Sequence, residues 1–339
     1  MVSIKREGVV LEPTSLEFES LAVMNPACIR AGDSVHMFYR AVRQGNYSSI
    51  GYCRLDGPLN VVERAKAPIL SPEFDYEVHG VEDPRIVHIG KTYYMCYIAY
   101  DGRDAWTAYA TSRDLKHFEK RGVITSRISY AEASELFRQS NMPEKYLDFD
   151  IYDKCEGDTE DNTLLWGKDS FLFPKKINGK FALIRRVLPE IQVIYFNDFQ
   201  ELTPEFWREN LRQLSDHIIL EKRYWFESKY IGGGCPPIET DKGWLLIYHA
   251  VENTKRGKVY RAGAALLDKN NPCKLIGRLR EPLFSPEKRW EKKGVVNNVV
   301  FPTGSAIFDE RLYIYYGAAD THIAVASLDL GELLDELTP

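Results

Sequence analysis

Five times along this chain an apolar, aromatic run follows a short turn: "GDSVHMFYRA", "GKTYYMCYIAY", "GKFALIRRV", "GWLLIYHAV" and "DERLYIYYGAA". Each is preceded by a short segment containing proline, and each is followed by a second strand of small residues such as "SSIGYCRL" or "YRAGAALL". The prolines of those segments, Pro26, Pro84, Pro174, Pro236 and Pro302, lie 58, 90, 62 and 66 residues apart. Repeats of that length, with three or four short strands each, cannot bury both faces alone and must stack on one another. Five copies predict an all-β fold, a five-bladed β-propeller with helical insertions, as one domain over residues 1–339. Two separate domains or paired sandwiches are the rivals, and neither accounts for a five-fold repeat.

A second repeat lies between the units: "VVLEPTSLEFESLAVMNPACI", "PILSPEFDYEVHGVEDPRI" and "PLFSPEKRWEKKGVVNNVVFPTG". Its first copy has no unit before it, so the strand near residues 9–11 is expected to join the last unit and remove a free sheet edge. The long interval holds an insertion, about 126–166. In it "SYAEASELFRQ" has helical spacing, and "LDFDIYDKCEGDTEDN" reads as a solvated acidic loop rather than a metal site. A further helix is expected at "LTPEFWRENLRQL", and a C-terminal cap at about 328–339.

Composition narrows the partners. The net charge of −5 and the lack of a long basic run argue against nucleic acid. No apolar run has the roughly 18 residues of a membrane span, and "MVSIKREGVV" carries no signal-peptide hydrophobic region. Six scattered cysteines without a CxxC pair read as reduced thiols, and the expected location is the cytoplasm.

Within each unit the first strand starts beside the end of the second, because antiparallel neighbours run in opposite senses. Strand starts and second-strand ends therefore share one face near the axis. The starts supply Asn25, Asp83, Lys168 with Asp169, and Asn297 with Asn298; the ends supply Arg40, Asp101, Arg185 with Arg186, His249 and Asp320. One charged strand end is a solvated turn, whereas several converging on one funnel predict a polar ligand site. Tyr230, Tyr260 and Phe301 lie nearby in sequence. Carboxylates, amides and aromatic faces suit a sugar, and paired carboxylates suit glycosidic cleavage.

The ordered series "GVEDPRI", "YYMCYIAYDG", "LFPKKINGKF", "IGGGCPPIETDKGWLLIYHA", "YRAGAALLD" and "NVVFPTG…YYGAADT" resembles glycoside hydrolase family 130 over nearly the whole chain. The resemblance implies a five-bladed β-propeller acting on β-mannosides with inversion, mostly by phosphorolysis and in a smaller group by hydrolysis. It places a general acid at Asp83, with sugar contacts at Asn25, Asp101, Tyr260, Phe301 and Asp320. Basic phosphate contacts fall on Lys168, Arg186 and His249. It implies neither a metal nor an organic cofactor, with inorganic phosphate as co-substrate if phosphorolysis holds, and a homo-oligomer formed through the helical insertions.

One departure concerns the nucleophile. Phosphorylases of the family carry a lysine immediately before Ile-Gly-x-Gly, but "WFESKYIGGG" puts Tyr230 there and displaces Lys229 by one residue. In a strand that shift turns the side chain to the other face. The expectation is therefore an inverting, exo-acting β-mannosidase, preferring β-1,2 linkages, with Glu227 (or Glu252) activating water across from Asp83. Phosphorolysis giving α-mannose 1-phosphate is the alternative, and a sugar-binding propeller without activity the third reading. Glu82 and Arg85 are expected to hold the turn.

Overall fold

A computed structural model describes residues 2–140, 142–147 and 164–338, so the acidic run 148–162, with Cys155, lies outside the described residues. The strands form five antiparallel units of four-strand depth. Unit one is β2 (Ala22–Ala31), β3 (Ser34–Arg43), β4 (Tyr47–Asp56) and β5 (Asn60–Arg64). Unit two is β6 (Gly80–Ile89), β7 (Thr92–Tyr100), β8 (Ala105–Ser112) and β9 (Glu119–Val123), joined to unit one by a single parallel bridge, Ser48 to Gly80. Unit three is β10 (Phe171–Leu172), β11 (Phe181–Val187), β12 (Glu190–Phe196) and β13 (Ile218–Leu220). In unit four, β14 (Tyr230–Gly233) and β15 (Ile238–Glu239) both pair with β16 (Trp244–Thr254), followed by β17 (Gly257–Leu267) and β18 (Leu275–Arg278). Unit five is β19 (Val300–Phe308), β20 (Arg311–Ala318), β21 (His322–Asp329) and, from the other end of the chain, β1 (Lys5–Leu11). The N-terminal strand thus pairs where its missing predecessor requires.

Turn chemistry follows the sequence. Asn178 and Gly179 both have positive φ in the β10–β11 hairpin, the backbone that a tight right-twisted hairpin demands. The larger apolar clusters lie between units rather than within them. One joins units one and two through Phe38, Ile50, Val81 and Met95, and another joins five and one through Tyr315, Val325, Val23 and Met37. Units two, three and four share a third, and units four and five a fourth. Because each sheet is covered on both faces, β16 is buried from Trp244 to Val251 without alternation. The outer strand β5, by contrast, has no buried residue.

The helical expectations hold. Helix α1 (Tyr130–Gln139) starts at Ser129, whose hydroxyl accepts from Glu132 N, and α2 (Pro204–Arg212) starts at Thr203 with proline in its first turn. The two are linked by Arg208 and Glu132 at 2.7 Å. The C-terminal helix (Leu330–Leu337) buries Leu333, Leu334 and Leu337 against units four and five. Among the described residues no helix is long and apolar enough to cross a membrane.

The inter-unit repeat has a structural meaning that its sequence did not disclose. Before β2, β6, β14 and β19 stands a fully buried glutamate: Glu19, Glu77, Glu227 and Glu291. Each accepts from a tyrosine of the following second strand, namely Tyr39, Tyr97, Tyr248 and Tyr316 at 2.6–2.8 Å. Each also meets a cation of the outermost strand: Arg64, Lys120, Arg278 and Arg6. Burial pushes all four phenols well up, so they stay protonated and donate. Two strands of a unit and its leading loop are thereby tied at one buried carboxylate.

Candidate active site

Asn25 and Asp83 occupy equivalent places, each before a proline and each at a register break in the first strand of its unit. Both backbones are left-handed, with φ of 49° and 46°. That region is costly for most residues and tolerated by Asn and Asp, so the bulge is what turns these side chains into one pocket. They meet there: Asn25 Nδ2 donates to Asp83 Oδ1 at 2.8 Å. Arg40, from the end of β3, reaches Glu82 at 2.6 Å and Asp83 at 3.7 Å. Burial opposes the charge of Arg40, but Glu82, Asp83 and Asp320 more than compensate. Arg85 passes beneath the site, and its Nε donates to Gly234 O at 2.6 Å, tying unit two to unit four. Glu82 and Arg85 therefore fix the turn, as expected.

Asn25, Arg40, Asp83, Lys168, Arg186, Tyr230, His249, Tyr260, Phe301 and Asp320 line one cavity of about 150 Å³. Its lining also includes Asp169 and Val299. Asp169 stands with Lys168 among the polar strand starts read from the sequence, although the resemblance gave it no role of its own. Its positive φ of 55°, shared with Asn25 and Asp83, marks the same use of a bent strand start. Arg186 pairs with Asp169 at 2.8 Å. Burial works against the Asp169 charge, yet Arg186, His249, Arg85 and Lys168 hold its carboxyl below the usual range. Gly232 leaves the space for Asp169 and His249, since a Cβ there would stand 2.3 Å from His249 and 2.8 Å from Asp169. The run "IGGG" serves close approach of backbone to side chains. Tyr230 Oη lies 3.2 Å from Tyr260 Oη, and Lys229, just before β14, is outside the cavity lining.

Three expectations are corrected. Glu227 is not in the cavity lining: it is fully buried in unit four, where Tyr248, Arg278 and the backbone N–H groups of Arg223 and Tyr224 donate to it. With its lone pairs committed it cannot receive a proton from a nucleophilic water in the pocket. Glu252 is likewise paired, accepting from Arg261. Asp101 is also outside the lining, its Oδ1 accepting from Arg103 N and Asp104 N at 2.8 and 2.7 Å as a turn-former. His249 does line the cavity, but burial pulls its pKa down to about 4, so it presents a neutral ring instead of a basic contact. Its Nδ1 stands 3.2 Å from Gly233 O.

The acid side of the pocket has an internal opposition. Burial pushes Asp320 up to about 6, Arg40 pulls it back, and Asp83 adds to the rise. A folded pKa above the ordinary aspartate value means that Asp320 favours folding below that value, and that this contribution is lost as pH rises through about 6. Asp320→Asn is therefore expected to stabilise the fold at pH 7 by about 1–3 kcal/mol, with the gain vanishing near pH 4. His249 acts with the opposite sign: its depressed pKa costs stability as pH falls from the ordinary histidine range through about 4. Melting temperatures of wild type and Asp320→Asn across pH 4–8 check this; an equal loss at every pH would show that pairing with Arg40 dominates.

Carboxylates, an amide, aromatic rings and cations contributed by repeated antiparallel units thus share one cavity, a set of groups suited chemically to a sugar. Residues 5–338 match the family model described as beta-1,4-mannooligosaccharide phosphorylase. The chain belongs to glycoside hydrolase family 130. It is 35% identical to a 1,2-beta-oligomannan phosphorylase of Thermoanaerobacter sp. (strain X514), over 98% of this chain and 99% of that one. It is 37% identical to a beta-1,2-mannobiose phosphorylase of the same organism, over 92% of each. The solved beta-1,2-mannobiose phosphorylase of Listeria innocua, in complex with beta-1,2-mannobiose, shares the fold at a TM-score of 0.72 and 24% identity, over 99% of each chain. These findings overturn the expectation of hydrolysis. Tyr230 does stand in the pocket at the position where a lysine was expected of phosphorylases, but two relatives that span the chain are named phosphorylases, and Lys168 and Arg186 remain in the cavity lining.

Proposed function

We propose that this protein is an inverting β-mannoside phosphorylase that splits β-1,2-linked manno-oligosaccharides with inorganic phosphate and releases α-mannose 1-phosphate. The observation that carries the reading is the lining of the pocket, which brings Asp83, Asn25, Arg40 and Asp320 together with the cations Lys168 and Arg186. An inverting displacement needs acid and nucleophile on opposite faces of the sugar. Asp83 supplies the proton toward the glycosidic oxygen, Lys168 and Arg186 receive the phosphate dianion, and Tyr260 and Phe301 pack on the mannose ring. Phosphate arrives already anionic, so no residue has to deprotonate it, and a base in the place once expected of Glu227 is not required. The linkage follows the two relatives that span the chain, both named for 1,2 bonds. The five units read as the blades of one five-bladed propeller, a reading supported by the cluster that joins units five and one and by β1 in unit five.

Incubation with β-1,2- and β-1,4-mannobiose, with and without phosphate, tests the proposal. Mannose 1-phosphate should form from the 1,2-linked disaccharide only when phosphate is present. Free mannose released at the same rate without phosphate would overturn it.

A further inference from the structure

Asp169 places a negative charge beside the two cations that phosphorolysis needs for its anion. It lines the cavity together with Lys168 and Arg186 and is only 8% exposed. Its Oδ2 is enclosed and faces Arg186 Nη1 at 2.8 Å, which leaves Oδ1 for the cavity. Among the described residues, none donates a hydrogen bond to Oδ1. The neighbouring imidazole supplies no donor either. His249 Nδ1 stands 3.2 Å from Gly233 O, and a carbonyl only accepts, so the neutral ring carries its proton on Nδ1. Nε2 is then an acceptor too, 3.8 Å from Asp169 Oδ2 and without a hydrogen bond from any described residue.

Acceptors thus outnumber donors at this end of the pocket, and the carboxylate cannot relieve the imbalance by taking up a proton. Burial opposes its charge, but Arg186 from β11, His249 from β16, Arg85 from β6 and the adjacent Lys168 hold it ionised. An ionised carboxylate repels a bare oxyanion and binds one that still carries a proton. At neutral pH inorganic phosphate and arsenate both keep such an O–H, whereas sulfate, of similar size and charge, keeps none.

We infer, on the phosphorylase reading, that Asp169 selects the nucleophile by accepting a hydrogen bond from the P–OH of hydrogen phosphate while Lys168 and Arg186 take its other oxygens. The proton is held there and is not transferred. An unprotonated phosphate oxygen attacks C1, the bond from C1 to the glycosidic oxygen breaks, and that oxygen leaves with the proton of Asp83. The P–OH passes unchanged into mannose 1-phosphate. Charge balances, because a dianion and a neutral acid give a monoanionic ester and a carboxylate.

Cleavage of β-1,2-mannobiose by wild type and Asp169→Asn, with phosphate, arsenate and sulfate, tests this. In wild type arsenate should replace phosphate in cleaving the disaccharide. The inhibition constant of sulfate against phosphate should exceed the KM for phosphate by about a hundredfold or more, as for a site that loses a built hydrogen bond. Asp169→Asn can turn its NH2 toward sulfate, so that ratio should fall to about tenfold or less even if kcat also falls. A merely structural Asp169 would alter kcat or stability and leave the ratio unchanged, an outcome that would overturn the inference. Sulfate inhibiting wild type near the phosphate KM, or arsenate without effect, would overturn it without any variant, so the test stays open if Asp169→Asn misfolds. Cleavage that ignores phosphate altogether would instead overturn the phosphorylase reading, so the two failures are distinct.

Discussion

Asp83→Asn should lower phosphorolysis by roughly 10²–10⁴-fold while leaving sugar binding nearly unchanged, because it removes the transferable proton and little else. The amide oxygen of the variant can still accept from Asn25 Nδ2, the 2.8 Å bond that fixes the native side chain. Its shape also keeps the left-handed backbone that a larger residue would strain. The effect therefore belongs in kcat, with the dissociation constant for mannobiose by calorimetry close to that of wild type. Turnover within a few-fold of wild type would remove Asp83 from the chemistry. Loss of binding together with turnover would make it a sugar contact instead.

Glu227→Ala should act on stability, by about 3–5 kcal/mol, because it strands Arg278 and Tyr248 in the interior of unit four. Glu77→Ala and Glu291→Ala should behave alike, since each breaks the same carboxylate–tyrosine–cation tie in another unit. Chemical denaturation measures all three. The comparison separates two roles cleanly: a catalytic base would be unique to one unit, whereas a structural tie recurs around the molecule. Any Glu227→Ala protein that remains folded should retain most of its kcat. A fully stable but inactive variant would return Glu227 to the mechanism.

The misreading of Glu227 is instructive because the correcting signal was already in the chain. Segments quoted for the inter-unit repeat carry Glu19, Glu77 and Glu291 at corresponding places, and "WFESKY" carries Glu227. A repeated glutamate beside a repeated tyrosine is a folding device far more often than a fourfold catalyst. The shift of Lys229 against Tyr230 was also legible, and the structure places Tyr230 in the cavity lining and Lys229 outside it. What did not follow was hydrolysis, because two cations from unit three still line the pocket without that lysine. Asp101 was misplaced for a local reason: its position at a strand end was read correctly, but two backbone N–H groups bind it into the turn.

The sequence by itself determined the five units, the entry of the N-terminal strand into the last of them, and the convergence of Asn25, Asp83, Arg40 and Asp320. Those follow from repeat spacing, strand direction and the proline-marked bulges, which are local properties of the chain. Only the tertiary structure decided which charged groups keep their charge and which face the ligand. Desolvation and pairing depend on surfaces that meet across units, so the neutrality of His249, the raised pKa of Asp320 and the commitment of Glu227 to Arg278 had no signature in any single segment.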